Sequence, residues 1–82
     1  MQSNVRKWRV LFSRKEALLQ DLRAIEIHGA RFYDLLFTPT EPPSAPAESA
    51  RIGAEMIYAS PRAGDHVMIE KIANVVTRVD KL

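Results

Sequence analysis

Apolar residues recur at alternating steps of three and four through the first half of the chain. This spacing places side chains along one stripe of an α-helix, and its repetition over four heptads is typical of a coiled-coil seam. The spacing therefore predicts a long amphipathic helix over about 4–38. Its stripe consists of Trp8, Leu11, Lys15, Leu18, Leu22, Ile25, Gly29, Phe32 and Leu36.

The start of this helix has two interpretations. Ser13 and Glu16 have the spacing of a capping box, which favours a start at Ser13 and an extended segment over 5–12. We favour a helix that continues through 5–12. Pro39 ends it at Thr38. Gly29 is either a tolerated weak point of the helix or a place where a second helix crosses closely.

Four of the five prolines lie between 39 and 49, and this composition predicts a polyproline or coil connector. The segment 50–60 is ambiguous. As a strand it places Ile52, Ala54, Met56 and Tyr58 on one face, and as a short helix capped by Ser49 it pairs Ile52 with Met56. We favour a short helix or an irregular segment there.

A second amphipathic helix is predicted over about 65–82. Ser60 to Gly64 has the composition of a turn, and Asp65 is a suitable N-cap. Ile69, Ile72 and Val76 then follow at helical steps, with Val79 next. Two helices joined by a long connection predict an all-α fold, an antiparallel helical hairpin in a single domain.

This hairpin is too small to cover its own apolar stripes. The chain has 82 residues and no cysteine, so disulfides cannot stabilise a thin core. We therefore expect a homo-oligomer that closes a helical bundle. The predicted oligomer seam is Leu11, Leu18, Leu22, Ile25, Phe32, Leu36, Ile69, Ile72, Val76 and Val79.

Five positive charges and no acidic residue occur among the first fifteen residues, with Trp8 inside this cluster. Three interpretations are open: a solvated basic end anchored by Trp8, a surface for nucleic acid, or a surface for an acidic protein. The predicted partner-binding residues are Arg6, Lys7, Trp8, Arg9, Arg14 and Lys15.

The sequence contains no pattern that predicts catalysis or a cofactor. His28 and His66 are far apart and lack metal-ligand spacing, so no metal site is expected. No glycine-rich phosphate loop, nucleophile elbow or catalytic cluster occurs. No stretch has the length of a membrane span, and Arg6, Lys7 and Arg9 interrupt any secretory signal. We expect a cytoplasmic, non-enzymatic protein.

Several segments resemble short helical phage and prophage proteins associated with late-gene regulators of the ArpU/RinA type. The matching parts are 18–36 for the first helix, 38–40 for the loop, and Ser60, Pro61 and Asp65 for the turn. Ile72, Ala73, Val75 and Val76 match the closing helix. The resemblance implies a phage-encoded regulator in a bacterial cytoplasm and transfers no functional residue.

The predicted function is a phage-type helical adaptor that acts by protein–protein binding as an oligomer, with a host or phage protein as partner. Two alternatives remain open. One is an anti-defence inhibitor of a host complex or nucleotide signal, and the other is a DNA- or RNA-binding regulator that uses the basic N-terminal segment.

Overall fold

The computed structural model describes residues 11–82, which form an antiparallel five-stranded sheet in the order β3-β2-β1-β4-β5. The strands are β1 (Phe12–Ile27), β2 (Ala30–Pro39), β3 (Glu48–Gly53), β4 (His66–Ile72) and β5 (Val75–Lys81). One 3-10 turn, Ala54–Met56, follows β3. The predicted all-α helical hairpin is therefore wrong. The described part of the first predicted helix is the β1–β2 hairpin, and the second is the β4–β5 hairpin.

The long strand β1 is shared between two partners. Its first part pairs with β4 from Phe12 to Leu18, and its second part pairs with β2 from Ala17 to Ile27. Beyond β3, Ile57 forms a parallel bridge with Val79 of β5. The two edges of the sheet thus approach each other, and the sheet curls into a small barrel.

The β1–β2 hairpin turns at His28 and Gly29, which have φ angles of 51° and 83°. A two-residue hairpin turn with positive φ at both central positions matches the twist of the flanking strands, and glycine adopts such φ values without strain. The prediction that Gly29 lies inside a helix is therefore wrong. The capping-box residues Ser13 and Glu16 lie inside β1, opposite Lys71 and Met68.

The core is built from inward-facing residues of all five strands and Ile57. Alternate positions along each strand point to the same face of a sheet, as with Leu35 and Phe37 on β2 and Val67 and Ile69 on β4. The buried set is Ala17, Leu19, Leu35, Phe37, Ile52, Ile57, Val67, Ile69 and Val79.

Two β-bulges explain why these strands have helix-like spacing. The register shifts between Leu19 and Asp21, so Leu19 and Leu22 both face inward although they are three positions apart. A second shift between Glu70 and Lys71 leaves Thr77 without an opposite residue, so Val76 and Val79 share a face in the same way. Steps of three that predict a helix are thus produced by bulged strands, and the coiled-coil seam is wrong.

The connector and the turns lie close to where the composition indicated. Pro39 is the last residue of β2, and 40–47 connects it to β3. The segment 50–60, for which the sequence favours a short helix or an irregular segment, contains the end of β3 and the short 3-10 turn. Ser60 and Gly64 have positive φ, as in a turn. Asp65 caps no helix, because the next element is β4.

Candidate functional site

Exposed apolar residues gather where β1 begins and the β4–β5 hairpin turns. Phe12 is opposite Ile72, and Ile72 is opposite Val75, so the three side chains lie side by side on the outer face of the sheet. Their exposed fractions are 50%, 53% and 63%. We call Phe12, Ile72 and Val75 the terminal row. Contiguous exposed apolar side chains of this kind mark interaction surfaces more often than scattered ones do.

Ion pairs border the terminal row on the same outer face. Nε of Arg14 lies 3.2 Å from Oε2 of Glu70, and Nε of Arg78 lies 3.2 Å from Oδ1 of Asp80. Glu70 is opposite Arg78 in the β4–β5 register, so these groups form a continuous polar border. An apolar centre with a polar rim is the usual anatomy of a protein–protein interface.

Only two of the predicted partner-binding residues, Arg14 and Lys15, lie within the described residues, so the predicted surface stays a prediction. Arg6, Lys7, Trp8 and Arg9 lie outside residues 11–82. Arg14 is on the outer face of β1, whereas Lys15 is on the inner face, opposite the buried Ile69. Successive residues of a strand point to opposite faces, but both cations also line one surface groove beside Thr40.

The predicted seam residues also divide among different environments. Ile69 and Val79 are core residues, and Leu22 and Val76 pack against the core from partly buried positions. Leu11, Leu36 and Ile72 are exposed, with only Ile72 in the terminal row. The half-buried members are Leu18, Ile25 and Phe32. Phe12 and Val75 were not among the predicted seam residues, and the strand register places both of them beside Ile72.

The open end of the barrel contains a cavity of about 210 Å³. Its polar wall includes Lys71, whose Nζ lies 2.5 Å from Oε1 of Glu48 and 6.0 Å from the centre of the Phe37 ring. The ion pair joins β4 to β3 across the interior of the curled sheet. Lys15 and Asn74 line the same cavity.

A hydrogen-bonded loop connects the 3-10 turn to β4. The Tyr58 hydroxyl donates to Oδ2 of Asp65 at 2.6 Å, and the Arg62 backbone N–H donates to the same oxygen at 3.1 Å. The Tyr58 hydrogen bond, with help from the Arg62 N–H, holds the pKa of Asp65 below its usual value. Burial, followed by the contact with Asp65, raises the pKa of Tyr58.

A charged pair on the outer face links β2 to β3. Arg51 donates to both carboxylate oxygens of Asp34, at 2.8 and 3.2 Å. The guanidinium of Arg23 lies 3.9 Å from Asp34. The hydrogen bond from Arg51 lowers the pKa of Asp34, and the charges of Arg51 and Arg23 add to this effect.

Two kinds of site are not found among residues 11–82. In this part of the chain, no group of three or more His, Asp or Glu side chains is arranged to hold a metal ion. No helix of the described residues is long and apolar enough to cross a membrane.

The strand pairing makes the described part of this chain an all-β structure. A five-stranded barrel in which β1 pairs with β2 and β4, while the chain after β3 meets β5 in parallel, has the connectivity of the OB-fold. A shared connectivity alone does not assign a function, because one fold supports many functions. No family model, curated protein or solved structure matches the chain.

Proposed function

We propose that this chain is a non-enzymatic binding protein that acts through protein–protein contacts and associates with itself through the terminal row. The observation that carries the proposal is the alignment of Phe12, Ile72 and Val75, each at least half exposed, across three neighbouring strands. Removing apolar surface from water contributes about 25 cal/mol of favourable free energy per Å². A partner that covers the terminal row therefore binds more tightly.

The surroundings of the row favour protein over nucleic acid as the partner. Residues 11–82 carry nine Lys and Arg against ten Asp and Glu, so this part of the chain has no excess of positive charge. Arg14 and Arg78 on the border are both paired with carboxylates. A phosphate backbone is attracted by unpaired cations, whereas an apolar row with a neutral polar rim suits another protein surface.

A second candidate function is binding of single-stranded nucleic acid. Two features favour it. The first is the OB-type connectivity, which occurs in proteins that bind oligonucleotides. The second is the sequence of residues 6–15, which contains five basic residues, two of them within β1 close to the exposed Phe12. In this case binding weakens steeply as salt is added, because phosphate contacts release counterions.

The proposed cellular role, that of a phage-encoded adaptor, is part of the same proposal. The resemblance to phage regulators rests mainly on two segments predicted as helices, and in the described residues these segments belong to the β1–β2 and β4–β5 hairpins. A phage-encoded adaptor with a host or phage partner, an anti-defence inhibitor and a bacterial cytoplasmic location all stay hypotheses.

The self-association is tested by light scattering coupled to gel filtration over a range of concentrations. We expect wild-type protein at a multiple of 9.3 kDa and Val75→Asp at 9.3 kDa, with unchanged far-UV circular dichroism. Met56→Asp is the matched control, because Met56 is 44% exposed on the 3-10 turn, outside the row. A monomeric wild type, or a Val75→Asp protein that still associates, would contradict the proposal.

The partner class is tested by affinity capture with and without nuclease, followed by mass spectrometry. A protein that is captured by wild type after nuclease treatment, and lost with Val75→Asp, supports the adaptor function. Recovery that disappears with nuclease favours the nucleic-acid function instead.

A further inference from the structure

The cavity at the open end of the barrel has an apolar floor and a polar wall. Its floor is Ala17, Phe37 and Ile69, each at most 2% exposed. The wall consists of Ser13, Lys15, Glu48, Lys71 and Asn74, with Pro39 and Ala73 at the rim. We call this space the mouth cavity. A concave apolar site with a few convergent polar groups is the usual form of a small-ligand site.

The strand geometry explains why this space is open. Ser13, Lys15 and Ala17 occupy the inward positions of β1, and the side chains of Ser13 and Ala17 are small. The pairing of β2 with β1 ends where Pro39 meets Ala17, so β2 covers no earlier residue of β1 within the sheet. The inward position opposite Ser13 carries Lys71 instead of an apolar side chain.

The charges of the mouth cavity do not cancel. Lys71 and Glu48 neutralise each other at 2.5 Å, and their side chains are only 23% and 37% exposed. Lys15 lines the same space, and no carboxylate of the described residues lies within 4.0 Å of its ammonium group. The Ser13 hydroxyl and the Asn74 amide add neutral donors. The wall therefore presents one uncompensated positive charge.

We infer that the mouth cavity binds a single carboxylate carried on a small apolar body. The carboxylate pairs with Lys15 and accepts hydrogen bonds from Ser13 and Asn74, while the apolar body lies over Ala17 and Ile69. A monoanion matches the one uncompensated charge, whereas a phosphate dianion would leave negative charge unpaired in a partly desolvated site. The volume of about 210 Å³ is below the roughly 300–1,000 Å³ of pockets for drug-sized ligands, so the body is small.

Two kinds of ligand carry a carboxylate on a small apolar body. One is a free short-chain carboxylic acid, and the other is the C-terminal carboxylate of a polypeptide that ends in a small apolar residue. Both place the same groups in the mouth cavity. The site does not depend on the terminal row, because Phe12 and Ile72 are on the opposite face of the sheet from Ser13 and Lys71.

The test is an NMR titration of the amide signals of the full chain with butyrate, with butyramide as the neutral isostere and with inorganic phosphate. We expect butyrate to shift the signals of Ser13, Lys15 and Asn74 in a saturable way. Butyramide and phosphate should bind at least about tenfold more weakly, which is the effect of losing about 1.4 kcal/mol.

Lys15→Met removes the charge and retains most of the aliphatic stem, so its affinity for butyrate should also fall at least about tenfold. Lys81→Met is the matched control, because Lys81 is an exposed lysine of β5 that does not line the mouth cavity. Val75→Asp should bind butyrate like wild type, which separates this site from the proposed self-association.

The tripeptide Gly-Gly-Val, with a free or an amidated C-terminus, distinguishes the two sources. Tighter binding than butyrate that is lost on amidation assigns the site to a polypeptide terminus, and binding no tighter than butyrate assigns it to free acids. The inference is overturned by any of three results: equal binding of butyramide, unchanged binding by Lys15→Met, or no saturable shift with butyrate up to tens of millimolar.

Discussion

The Tyr58 hydroxyl donates a 2.6 Å hydrogen bond to Asp65, and this contact closes the loop that leads into β4. Two backbone hydrogen bonds attach the same loop to β1: Gly64 N–H donates to Leu19 O at 2.7 Å, and Leu19 N–H donates to Asp65 O at 2.9 Å. The loop therefore continues the hydrogen bonding of β1 beyond the point where β4 begins.

We predict that Tyr58→Phe lowers the free energy of unfolding at pH 7. The substitution leaves the Asp65 carboxylate without its strongest donor, although the backbone N–H of Arg62 stays in place. Urea unfolding followed by circular dichroism measures the loss. Tyr33→Phe is the control, since the Tyr33 hydroxyl makes no hydrogen bond within the described residues, and an equal loss for both variants would contradict the role of Tyr58.

The stability of the wild type should fall as the pH is lowered below about 4. Asp34 and Asp65 both have pKa values lowered by folding, the first mainly by Arg51 and the second mainly by Tyr58. A carboxylate with a lowered folded-state pKa contributes its full stability above its unfolded-state pKa of about 3.9, and loses it as the pH falls through the folded-state value. Urea midpoints between pH 2 and pH 7 measure this, by the linkage relation.

Asp65→Asn should reduce that dependence on pH, because the amide does not titrate. Its unfolding midpoint should be lower than that of wild type at pH 7 and closer to it at pH 2. A difference between the two proteins that is constant across this range would show that folding does not lower the pKa of Asp65.

Leu19→Ala should destabilise the protein by about 2–5 kcal/mol, because Leu19 is fully buried and its truncation leaves a cavity. Leu36→Ala should cost less than about 1 kcal/mol, since Leu36 is 40% exposed. The two substitutions are chemically identical, and denaturant unfolding compares them directly. The helical interpretation predicts the reverse order, because Leu36 lies in its seam and Leu19 lies beside it.

Gly29→Ala should destabilise the protein by about 1 kcal/mol, because the hairpin requires a φ of +83° at this position. Gly53→Ala is the matched control. Gly53 has an ordinary φ of −64°, and a new methyl group there meets only the carboxylate end of the flexible Glu55 side chain. Thermal unfolding measures the loss of stability of each variant. Equal losses would show that alanine is not strained by the positive φ at position 29.

Some boundaries of the fold were predictable from local chemistry. Pro39 ends an element in the sequence prediction and ends β2 in the structure, because proline lacks the N–H that continues a strand or a helix. The turn around Gly64 was predictable from composition and has φ +95° there. These features depend only on the residues at the position itself.

The type of element between those boundaries was not predictable from spacing alone. Both faces of β1 carry apolar residues, with Leu19 inward and Leu18 outward, so simple alternation is obscured. The bulge before Asp21 then places Leu19 and Leu22 on one face at a step of three, as a helix would. A bulge depends on the partner strand, and the partner is not visible in the local sequence.

The candidate sites follow the same division. The chain's composition shows which groups are available: a basic segment without acidic residues, cations such as Lys15, and apolar residues such as Ile72. Which of these groups become neighbours depends on the tertiary structure. Pairing across strands placed Phe12 and Val75 on either side of Ile72, and the alternation of β1 sent Arg14 to the outer face and Lys15 into the mouth cavity. Strand pairing brings together residues that are far apart in the chain, and the local spacing of apolar residues does not show which strands pair.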